Sequence, residues 1–341
     1  MKECTPADNR EDTLKTKYNY VFYKVTQDYV QPYFFPLRKH AFVRVYERAF
    51  DGGRLLQKLF FLHWSNKLNS KIKLPLKRLW FKKICKQNFS NDKPCVYCFN
   101  GGKYLREAPE LYSYIKKLNP ENKVIVYMMD LIEKTVGTLD DIRGCTDAII
   151  TYDKGDAEKY GIYHFDGIFY GATTEVTQPE TFENDAYFLG FAKDRLERIH
   201  RTYRKLSDAG LRCNFIICGT KPEDRIEGVG LHYQEPISYA ANLENVKKSR
   251  CIVELMQSGS DAPTLRTQEA ITYKRKLLTD HVTAAAQPYF NPAFMSTFAE
   301  PEHIDTAFAA APIDYAAFDD RYDLSPDKLL RYFETLWSEK T

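Results

Sequence analysis

Residues 251–281 contain the pattern that most constrains what this chain can fold into. An apolar run, Cys251–Met256, predicts a buried strand, and a small polar loop of sequence QSGSDAP follows it. The loop leads into a predicted helix over about Thr264–Arg275 and then into a second apolar run, Lys276–Thr279. A strand, a helix and a strand in this order predict one βαβ unit of a parallel sheet.

The same alternation of strands and helices recurs along both halves of the 341-residue chain. Strands are predicted in the first half at Tyr18–Val25, Pro94–Phe99, Val124–Met129, Ala148–Tyr152 and Gly167–Phe169. In the second half they are predicted at Ala186–Phe191, Cys213–Cys218, Val229–Tyr233, Cys251–Met256, Lys276–Thr279 and near Phe294–Phe298. Helical patterns in the first half lie at Leu55–Leu68, Leu76–Lys86, Ala108–Lys117 and Lys154–Tyr160.

A polar, Thr- and Glu-rich stretch at 172–185 separates the two halves and reads as a linker. We therefore predict an α/β fold with two Rossmann-like, doubly wound domains, at residues 1–178 and 179–325, and a last helix in 326–341. Two such domains are expected to face an interdomain cleft at the carboxyl ends of both sheets.

Two predicted helix starts near that cleft carry phosphate-binding chemistry. The loop before the 264–275 helix includes Gly259, and the helix begins at Thr264 and Arg266, where unpaired N–H groups favour anions. Two roles stay open for Arg266 from sequence: a ligand of phosphate, or a salt-bridge partner of Glu269 or Asp261.

The strand at 186–191 ends in a second turn of this kind, at Gly190. A glycine permits close backbone approach, and Lys193 and Arg195 follow it, where they could hold a diphosphate. A surface helix start with incidental basic residues is the open alternative.

Asp130 is the first candidate for a general base, because it ends the apolar strand KVIVYMMD and projects toward the cleft. The alternative is that Asp130 caps the helix that follows it. Asp28, in the loop after the first strand, is a second candidate.

Charge is distributed unevenly, although the net charge is only +3. Residues 37–87 hold fourteen Lys or Arg but only two acids, interleaved with Phe, Trp and Leu. Basic charge beside large apolar side chains favours an anionic membrane surface, while a solvated basic face is the alternative. No base-reading motif indicates a nucleic-acid partner. The N-terminus lacks the apolar segment of a secretory signal, which predicts a cytoplasmic protein.

Metal and cofactor motifs are not expected to matter in this chain. Cys95 and Cys98 form a CxxC, but no second pair lies at zinc spacing, and no Asp-x-Asp motif ends a strand. We predict neither a metal site nor a bound cofactor.

Three segments carry a family resemblance: TYDKGDAEKYGI at 151–162, GFAKDRLERI at 190–199 and GSDAPTLRTQEAITYKRKLLT at 259–279. Together they resemble the GT-B-type glycosyltransferases of bacterial polysaccharide and lipopolysaccharide biosynthesis, over about 93–298. The resemblance implies metal-independent transfer of a sugar from a nucleotide-sugar to a glycan or lipid-linked acceptor at the inner membrane face. It also implies an acceptor-side first domain, a donor-binding second domain and a last helix that packs back on the first.

By the same resemblance, Lys193 and Arg195 match a basic diphosphate pair, Asp261 matches an acid beside the donor sugar, and Glu269 matches a ribose-binding acid. Asp261 and Glu269 stand in the family's Glu-x7-Glu spacing, with Asp in place of the first Glu. Two further interpretations stay open from sequence. One is another enzyme on this scaffold, such as a nucleotide-sugar epimerase or a pyruvyl transferase, and the other is a non-catalytic membrane-binding protein.

Overall fold

The computed structural model describes residues 14–23, 27–50, 52–69, 71–72, 74–134, 139–165, 168–257, 262–318 and 322–338. Within these ranges the chain forms two six-stranded parallel sheets. The first sheet contains β1 Asn19–Tyr23, β2 Val43–Val45, β3 Cys95–Asn100, β4 Lys123–Met128, β5 Ala148–Thr151 and β6 Tyr163–His164, in the order β2-β1-β3-β4-β5-β6. The second contains β7 Asn184–Phe191, β8 Cys213–Cys218, β9 Leu231–Tyr233, β10 Ser249–Glu254, β11 Lys276–Thr279 and β12 Met295–Thr297, in the order β12-β11-β10-β7-β8-β9.

Helices connect and flank these strands. In chain order they are α1 Gln31–Phe34, α2 Arg54–His63, α3 Asn66–Asn69, α4 Phe81–Ile84, α5 Lys103–Glu107, α6 Glu110–Leu118, α7 Asp140–Arg143, α8 Lys154–Tyr160, α9 Leu196–Asp208, α10 Tyr239–Lys248, α11 Leu265–Thr272, α12 Thr306–Ala310 and α13 Asp327–Ser338. Among the described residues, these helices are too short or too polar to span a lipid bilayer.

Both faces of the first sheet are covered, as its continuous apolar strands require. Side-chain alternation along β1 sends Val21 and Tyr23 into one apolar cluster and Tyr20 and Phe22 into the other. The second cluster is completed by α13, whose Phe333 ring lies 6.2 Å from the rings of both Tyr20 and Phe22. The last helix of the chain therefore packs on the first sheet.

Residues 168–183 form neither helix nor strand and connect the two sheets. The strand predicted at Gly167–Phe169 is wrong as far as the structure describes it. The sixth strand is β6, which pairs with β5 a few residues earlier, and Gly167 lies outside the described residues. The buried ring of Phe169 is instead packed edge-on against Phe165 at 5.5 Å.

The helices predicted in the basic segment are shorter than expected. The first ends at His63, where the buried Trp64 leaves the helical conformation, and a separate turn, α3, follows it. The second cannot begin at Leu76, because this residue has a left-handed φ of 63° that a helix interior does not accommodate. The helix predicted from Ala108 begins at Glu110, after Pro109.

Strand β2, at the other edge of the first sheet, is also not predicted by the sequence pattern. It is only three residues long, and it lies within the basic segment, where Arg44 interrupts two valines. Its parallel pairing with β1 is what places it in the sheet.

Candidate active site

A cleft of about 690 Å³ lies between the two sheets, at the carboxyl ends of their strands. Residues that follow β3, β4 and β5 line one wall, and residues that follow β7 and β10 line the other. The cleft predicted from the doubly wound pattern is therefore confirmed, and it positions the loops that carry chemistry in such folds.

The two walls differ in chemistry. The first domain contributes mainly aromatic and apolar side chains: Tyr29, Val30, Tyr33, Tyr127, Met128, Met129, Leu131, Tyr152, Phe165, Ile168 and Phe169. The second contributes cations and polar groups: Lys193, Arg195, Gln257, Thr264, Arg266 and Gln268. Lys103 and Arg106 of the first domain also line the cleft, so positive charge is present on both walls.

Gly190, near the end of β7, is the point on which two guanidinium groups converge. A Cβ atom at this position would lie 2.9 Å from Nη2 of Arg195 and 3.1 Å from Nη2 of Arg266. It would also lie 3.0 Å from the ring of Phe188. The missing side chain leaves the space that both guanidinium groups use.

Main-chain carbonyl groups hold both guanidinium groups in place. Arg195 donates to the carbonyl oxygens of Leu255 and Phe191, and Arg266 donates to that of Leu189. Both also lie against the Phe188 ring, at 5.8 and 5.5 Å from its centroid. Within the described ranges, neither makes an ion pair with a carboxylate.

The two positive charges affect each other. Burial, and after it the neighbouring charge of Arg266, lower the pKa of Arg195 to about 10. Arg195 still carries its proton at neutral pH, so the pair forms a divalent positive site. An anion with two charged oxygens is the ligand that would relieve this repulsion.

Lys193 adds a third cation at the same edge. Its backbone is left-handed, with φ of 45°, and its Nζ donates to Oε1 of Gln257 at 2.9 Å. Both side chains line the cleft. Left-handed backbone at a non-glycine residue is uncommon, and here it directs the residue after β7 toward the loop that follows β10.

Thr264 is the N-cap of α11, and its side chain accepts from the backbone N–H of Arg266 at 3.2 Å. Beneath it, the buried carboxylate of Glu254 accepts from the hydroxyls of Thr264, Thr267 and Thr279 at 2.6, 2.9 and 2.6 Å. It also accepts from the Thr264 backbone N–H at 3.2 Å. Glu254 therefore fixes the helix start that presents Arg266.

Asp261 and Gly259 lie outside the described residues, so their predicted roles stay predictions.

Glu269 is not placed on the cleft wall. Its carboxylate is buried, and it accepts from Nδ2 of Asn242 on α10 at 2.8 Å. Burial raises the pKa of Glu269 to about 7, although Arg266, Tyr239 and Asn242 act to lower it. Helical spacing turns position 269 toward the interior, while Arg266 and Gln268 face the cleft. The predicted contact of Glu269 with ribose stays a prediction.

Asp130 lines the cleft and is exposed, after the end of β4. The turn that follows is held by another acid, because the backbone N–H of Ile132 donates to Asp156 at 2.8 Å. Burial raises the pKa of Tyr29 and of Tyr152, and in both cases the charge of Asp130 adds to the rise. Asp130 is therefore a carboxylate near two phenols, on the wall opposite Arg195 and Arg266.

Gln268 and Tyr33 are cleft residues that the sequence reasoning missed. Gln268 is one position away from the predicted acid, and Tyr33 lies in α1, a helix of one turn after β1. Only the helical phase of α11 could have indicated Gln268, and no sequence signal indicates Tyr33.

Neither a protein-family model nor a curated protein sequence matches this chain. Among solved structures, it is similar to an α-glucosyltransferase in complex with UDP and a 13-mer DNA containing a HMU base. That match has a TM-score of 0.51 and 13% identity, over 92% of this chain and 94% of the other. A UDP-GlcNAc 2-epimerase of Methanocaldococcus jannaschii, in complex with UDP-GlcNAc and UDP, matches with a TM-score of 0.44 and 13% identity, over 93% and 98% of the chains. A spinosyn rhamnosyltransferase complexed with spinosyn aglycone matches at 0.40 and 12%, over 93% and 100%.

The likeness to the α-glucosyltransferase extends over nearly the whole of both chains and concerns the fold alone. It agrees with the observed topology of two parallel six-stranded sheets that face one cleft. The chain therefore has the two-domain, Rossmann-like GT-B fold.

Proposed function

We propose that this protein is a glycosyltransferase that moves a sugar from a nucleotide-sugar donor to a glycan or lipid-linked saccharide acceptor. The observation that carries the proposal is the convergence of Arg195 and Arg266 on Gly190, at the carboxyl end of the central strand β7. Fixed guanidinium groups without a carboxylate partner among the described residues suit the diphosphate of such a donor.

The proposed chemistry divides between the two walls of the cleft. Arg195, Arg266 and Lys193 stabilise the negative charge that develops on the departing diphosphate, which is the main requirement of transfer without a metal. Asp130 on the opposite wall accepts the proton of the acceptor hydroxyl as that hydroxyl attacks the anomeric carbon. The aromatic wall beside Asp130 gives the acceptor sugar a surface on which to stack.

Nucleotide binding tests this proposal directly. We would measure UDP, GDP, CMP and dTDP by calorimetry, in EDTA and again with magnesium, and expect one of them to bind equally in both. Arg266→Met should weaken that binding roughly thirtyfold, because a hydrogen bond to a charged group contributes about 1.5–3 kcal/mol. No binding of any of the four would contradict the proposal.

Arg225→Met is the matched control for that variant. Arg225 also stacks on an aromatic ring, 5.3 Å from the centroid of Tyr233, and donates to a main-chain carbonyl, that of Thr220, at 3.1 Å. It does not line the cleft. The proposal therefore expects unchanged nucleotide affinity in Arg225→Met.

The role of Asp130 has its own test. Asp130→Asn keeps the size of the side chain but removes the basic carboxylate, so nucleotide affinity should stay unchanged. Turnover of the nucleotide-sugar, measured as sugar transferred or released to water, should fall about a hundredfold. Full turnover in the variant would exclude Asp130, and conversion of the donor sugar without transfer would favour an epimerase.

The proposed location of the reaction is the cytoplasmic face of an anionic bacterial membrane, in cell-surface polysaccharide synthesis. Residues 52–91 contain no acid. Exposed apolar side chains within them are Leu55, Leu59, Phe61, Leu62, Leu68, Ile72, Leu76 and Leu79. Exposed basic side chains are Arg54, Lys58, Lys71, Arg78, Lys82, Lys83 and Lys86. We call these two sets the basic apolar surface.

Helix α2 shows how this surface is built. Leu55, Leu59 and Leu62 recur at helical spacing and are 72%, 49% and 59% exposed, while Gln57 and Phe60 face the core. A monomeric soluble protein rarely leaves such a stripe uncovered. Lipid headgroups with negative charge above an apolar layer match both components of the surface.

A further inference from the structure

The first-domain wall of the cleft carries two cations that the proposed donor site does not use. Lys103 and Arg106 lie three residues apart on α5, so they share one side of the helix, and both line the cleft. They belong to the wall opposite Arg195 and Arg266, where the acceptor is expected. Positive charge at this place indicates that the acceptor itself carries an anion.

Two neighbouring acids do not cancel these charges. Glu107 also lines the cleft, but its carboxylate accepts from Nζ of the buried Lys77 at 2.5 Å. Asp141 lies 3.6 Å from Nε of Arg106, which is too long for a hydrogen bond, and its side chain is 47% exposed. That Nε has no hydrogen-bond partner among the described residues. The ion pair with Asp141 therefore leaves the guanidinium group able to bind a second anion.

The turn before α5 brings the two cations to the side of the proposed base. Gly101 has a φ of 63°, a conformation that glycine adopts without strain, and the chain passes from β3 into α5 within two residues. The backbone N–H of Gly101 donates to the carbonyl oxygen of Tyr127, on the neighbouring strand β4, at 2.9 Å. Asp130 follows Tyr127 by three residues and lines the same wall. One acceptor molecule can therefore contact both α5 and Asp130.

The cleft adjoins the segment that carries the basic apolar surface. Asn69 of α3 lines the cleft, and its neighbour Leu68 belongs to that surface. The buried Lys77, which also donates to the main-chain carbonyl at the end of α5 at 3.1 Å, directly follows the exposed Leu76. A ligand that lies on the basic apolar surface can therefore extend past α5 into the cleft.

The order of the strands sets the order of the groups along this path. Lys103 and Arg106 follow β3, Asp130 follows β4 and Tyr152 follows β5, and these three strands are neighbours in the sheet. A path from the basic apolar surface therefore meets apolar side chains, then cations, then the base and the aromatic wall. A lipid-linked saccharide has the same order: an apolar chain, a phosphate and a sugar. Ammonium and guanidinium groups are the side chains that bind phosphate oxygens.

We propose that the acceptor is a lipid-linked saccharide whose phosphate, between the lipid and the sugar, binds to Lys103 and Arg106. The inference rests on the proposed function, because it presumes transfer to an acceptor hydroxyl at Asp130. It narrows the acceptor from glycans in general to an anionic amphiphile. It also gives the cleft and the basic apolar surface one common ligand.

Three probes that share one sugar test this inference. Glucose 1-(decyl phosphate) has a phosphodiester between the sugar and the alkyl chain, decyl glucoside lacks the phosphate, and glucose 1-phosphate lacks the alkyl chain. Calorimetry would measure each below its micellar concentration, with the protein saturated by the nucleotide that it binds. The wild type should bind the phosphodiester about tenfold more tightly than either of the other two.

Variants of the two cations assign the preference to α5. Lys103→Gln combined with Arg106→Gln should remove the preference for the phosphodiester over decyl glucoside, by weakening only the charged probe. Lys117→Gln combined with Arg143→Gln is the matched control and should keep the preference. Arg143 makes a similar ion pair, from its Nε to Asp140 at 3.5 Å, and neither control residue lines the cleft. Unchanged nucleotide affinity in both double variants would show that the cleft is folded.

Nucleotide affinity also separates the inference from the function on which it rests. Failure of the wild type to bind any nucleotide would overturn the proposed glycosyltransferase itself. With nucleotide bound, failure to prefer the phosphodiester over decyl glucoside, or a preference that persists without the two α5 cations, would overturn only the phosphate assignment. Glucose 1-phosphate that binds as tightly as the phosphodiester would overturn the lipid link and assign the site to a soluble sugar phosphate. Weakened nucleotide affinity in the α5 double variant would assign these cations to the donor instead.

Discussion

Two regions of this molecule are rich in positive charge, and they are built in opposite ways. In the cleft, Arg195 and Arg266 are anchored by main-chain carbonyl oxygens, stacked on Phe188 and packed around the space left by Gly190. On the basic apolar surface, lysines such as Lys82 and Lys83 are exposed beside uncovered leucines. In the cleft, the contacts of the guanidinium groups fix the positions of the charges. On the basic apolar surface, the charges are numerous, but their positions are not fixed by such contacts.

This difference indicates two kinds of anionic partner. Fixed guanidinium groups favour a small ligand whose oxygens have defined positions, because no entropy is lost in arranging the donors. Exposed lysines favour an extended surface whose charges are themselves mobile, such as a bilayer of anionic lipid. Variants that change geometry should therefore affect the cleft, and variants that change charge should affect the surface.

The largest effect is expected from Gly190→Ala, which changes geometry without changing charge. The added Cβ would press on both guanidinium groups at about 3 Å, so Arg195 and Arg266 must separate. Nucleotide affinity should fall about a hundredfold, since two charge-assisted hydrogen bonds are misplaced. Calorimetry provides the measurement. Vesicle binding should be unchanged, and Gly144→Ala, where a Cβ would meet no atom within 4 Å, should leave both unchanged.

The sequence indicated the residues of this region but not which of them lie together. Gly190, Lys193 and Arg195 are neighbours in the chain, so a strand followed by a turn was sufficient to propose them. Their approach to Arg266 depends on the order of strands in the sheet, where β7 lies beside β10. The local sequence pattern does not specify the order of the strands in the sheet, because many arrangements of parallel strands fit the same alternation of strands and helices.

The second feature that the sequence did not predict is which residues of α11 face the cleft. The pattern predicted the helix start at Thr264 correctly, but it assigned the cleft-facing role to Glu269 rather than to Gln268. Adjacent residues on a helix differ by about 100° in direction, so the interior and the cleft are one position apart. The Glu269 carboxylate is held in the interior by contacts with Asn242 and Tyr239. Both residues belong to α10, so the sequence of α11 alone does not indicate these contacts.

The next effect concerns Glu269, a buried acid on the same helix as Arg266. Residues 52–91, which form the basic apolar surface, contain no acid. In the unfolded chain Glu269 ionises near its ordinary pKa of 4.5, whereas burial raises its pKa to about 7 in the folded protein. Between these values the unfolded chain has lost the proton that the folded protein retains. The free energy of unfolding should therefore fall as pH rises through this window, on the order of 2 kcal/mol.

Urea unfolding at about pH 5 and about pH 8 measures this change. Glu269→Gln cannot ionise, so the fall attributed to Glu269 should be absent from the variant while other contributions remain. Parallel pH profiles for the wild type and Glu269→Gln would contradict the assignment. Vesicle binding by the basic apolar surface should be unaffected by the substitution.

A smaller effect is expected when charge is removed from the surface. Lys82→Gln combined with Lys83→Gln should weaken binding to vesicles of mixed anionic and neutral lipid about tenfold, because each lysine near a membrane contributes about 1 kcal/mol before screening. Sedimentation with vesicles measures it, and raising the salt concentration should reduce the binding of the wild type. Nucleotide affinity should not change.

The same experiment distinguishes lipid from other partners. Neutralising Lys221 and Lys248, which are exposed on the second domain, is the matched control and should leave vesicle binding intact. Equal binding to neutral and anionic vesicles would contradict the role of charge. Binding to duplex DNA that exceeds binding to anionic vesicles would assign the surface to nucleic acid instead.

The smallest effect is expected from Arg266→Lys, a substitution that changes the geometry of the side chain but keeps its charge. Arg266→Lys retains one positive charge but loses the planar fork that reaches both the Leu189 carbonyl and a ligand. Nucleotide affinity should fall about fivefold, and vesicle binding should not change. Arg78→Lys is the counterpart on the exposed surface and should change neither measurement, because a bilayer does not require a fork. If Arg266→Lys retained full nucleotide affinity, the cleft would act by charge alone, and the contrast between its fixed cations and the exposed cations outside would not hold.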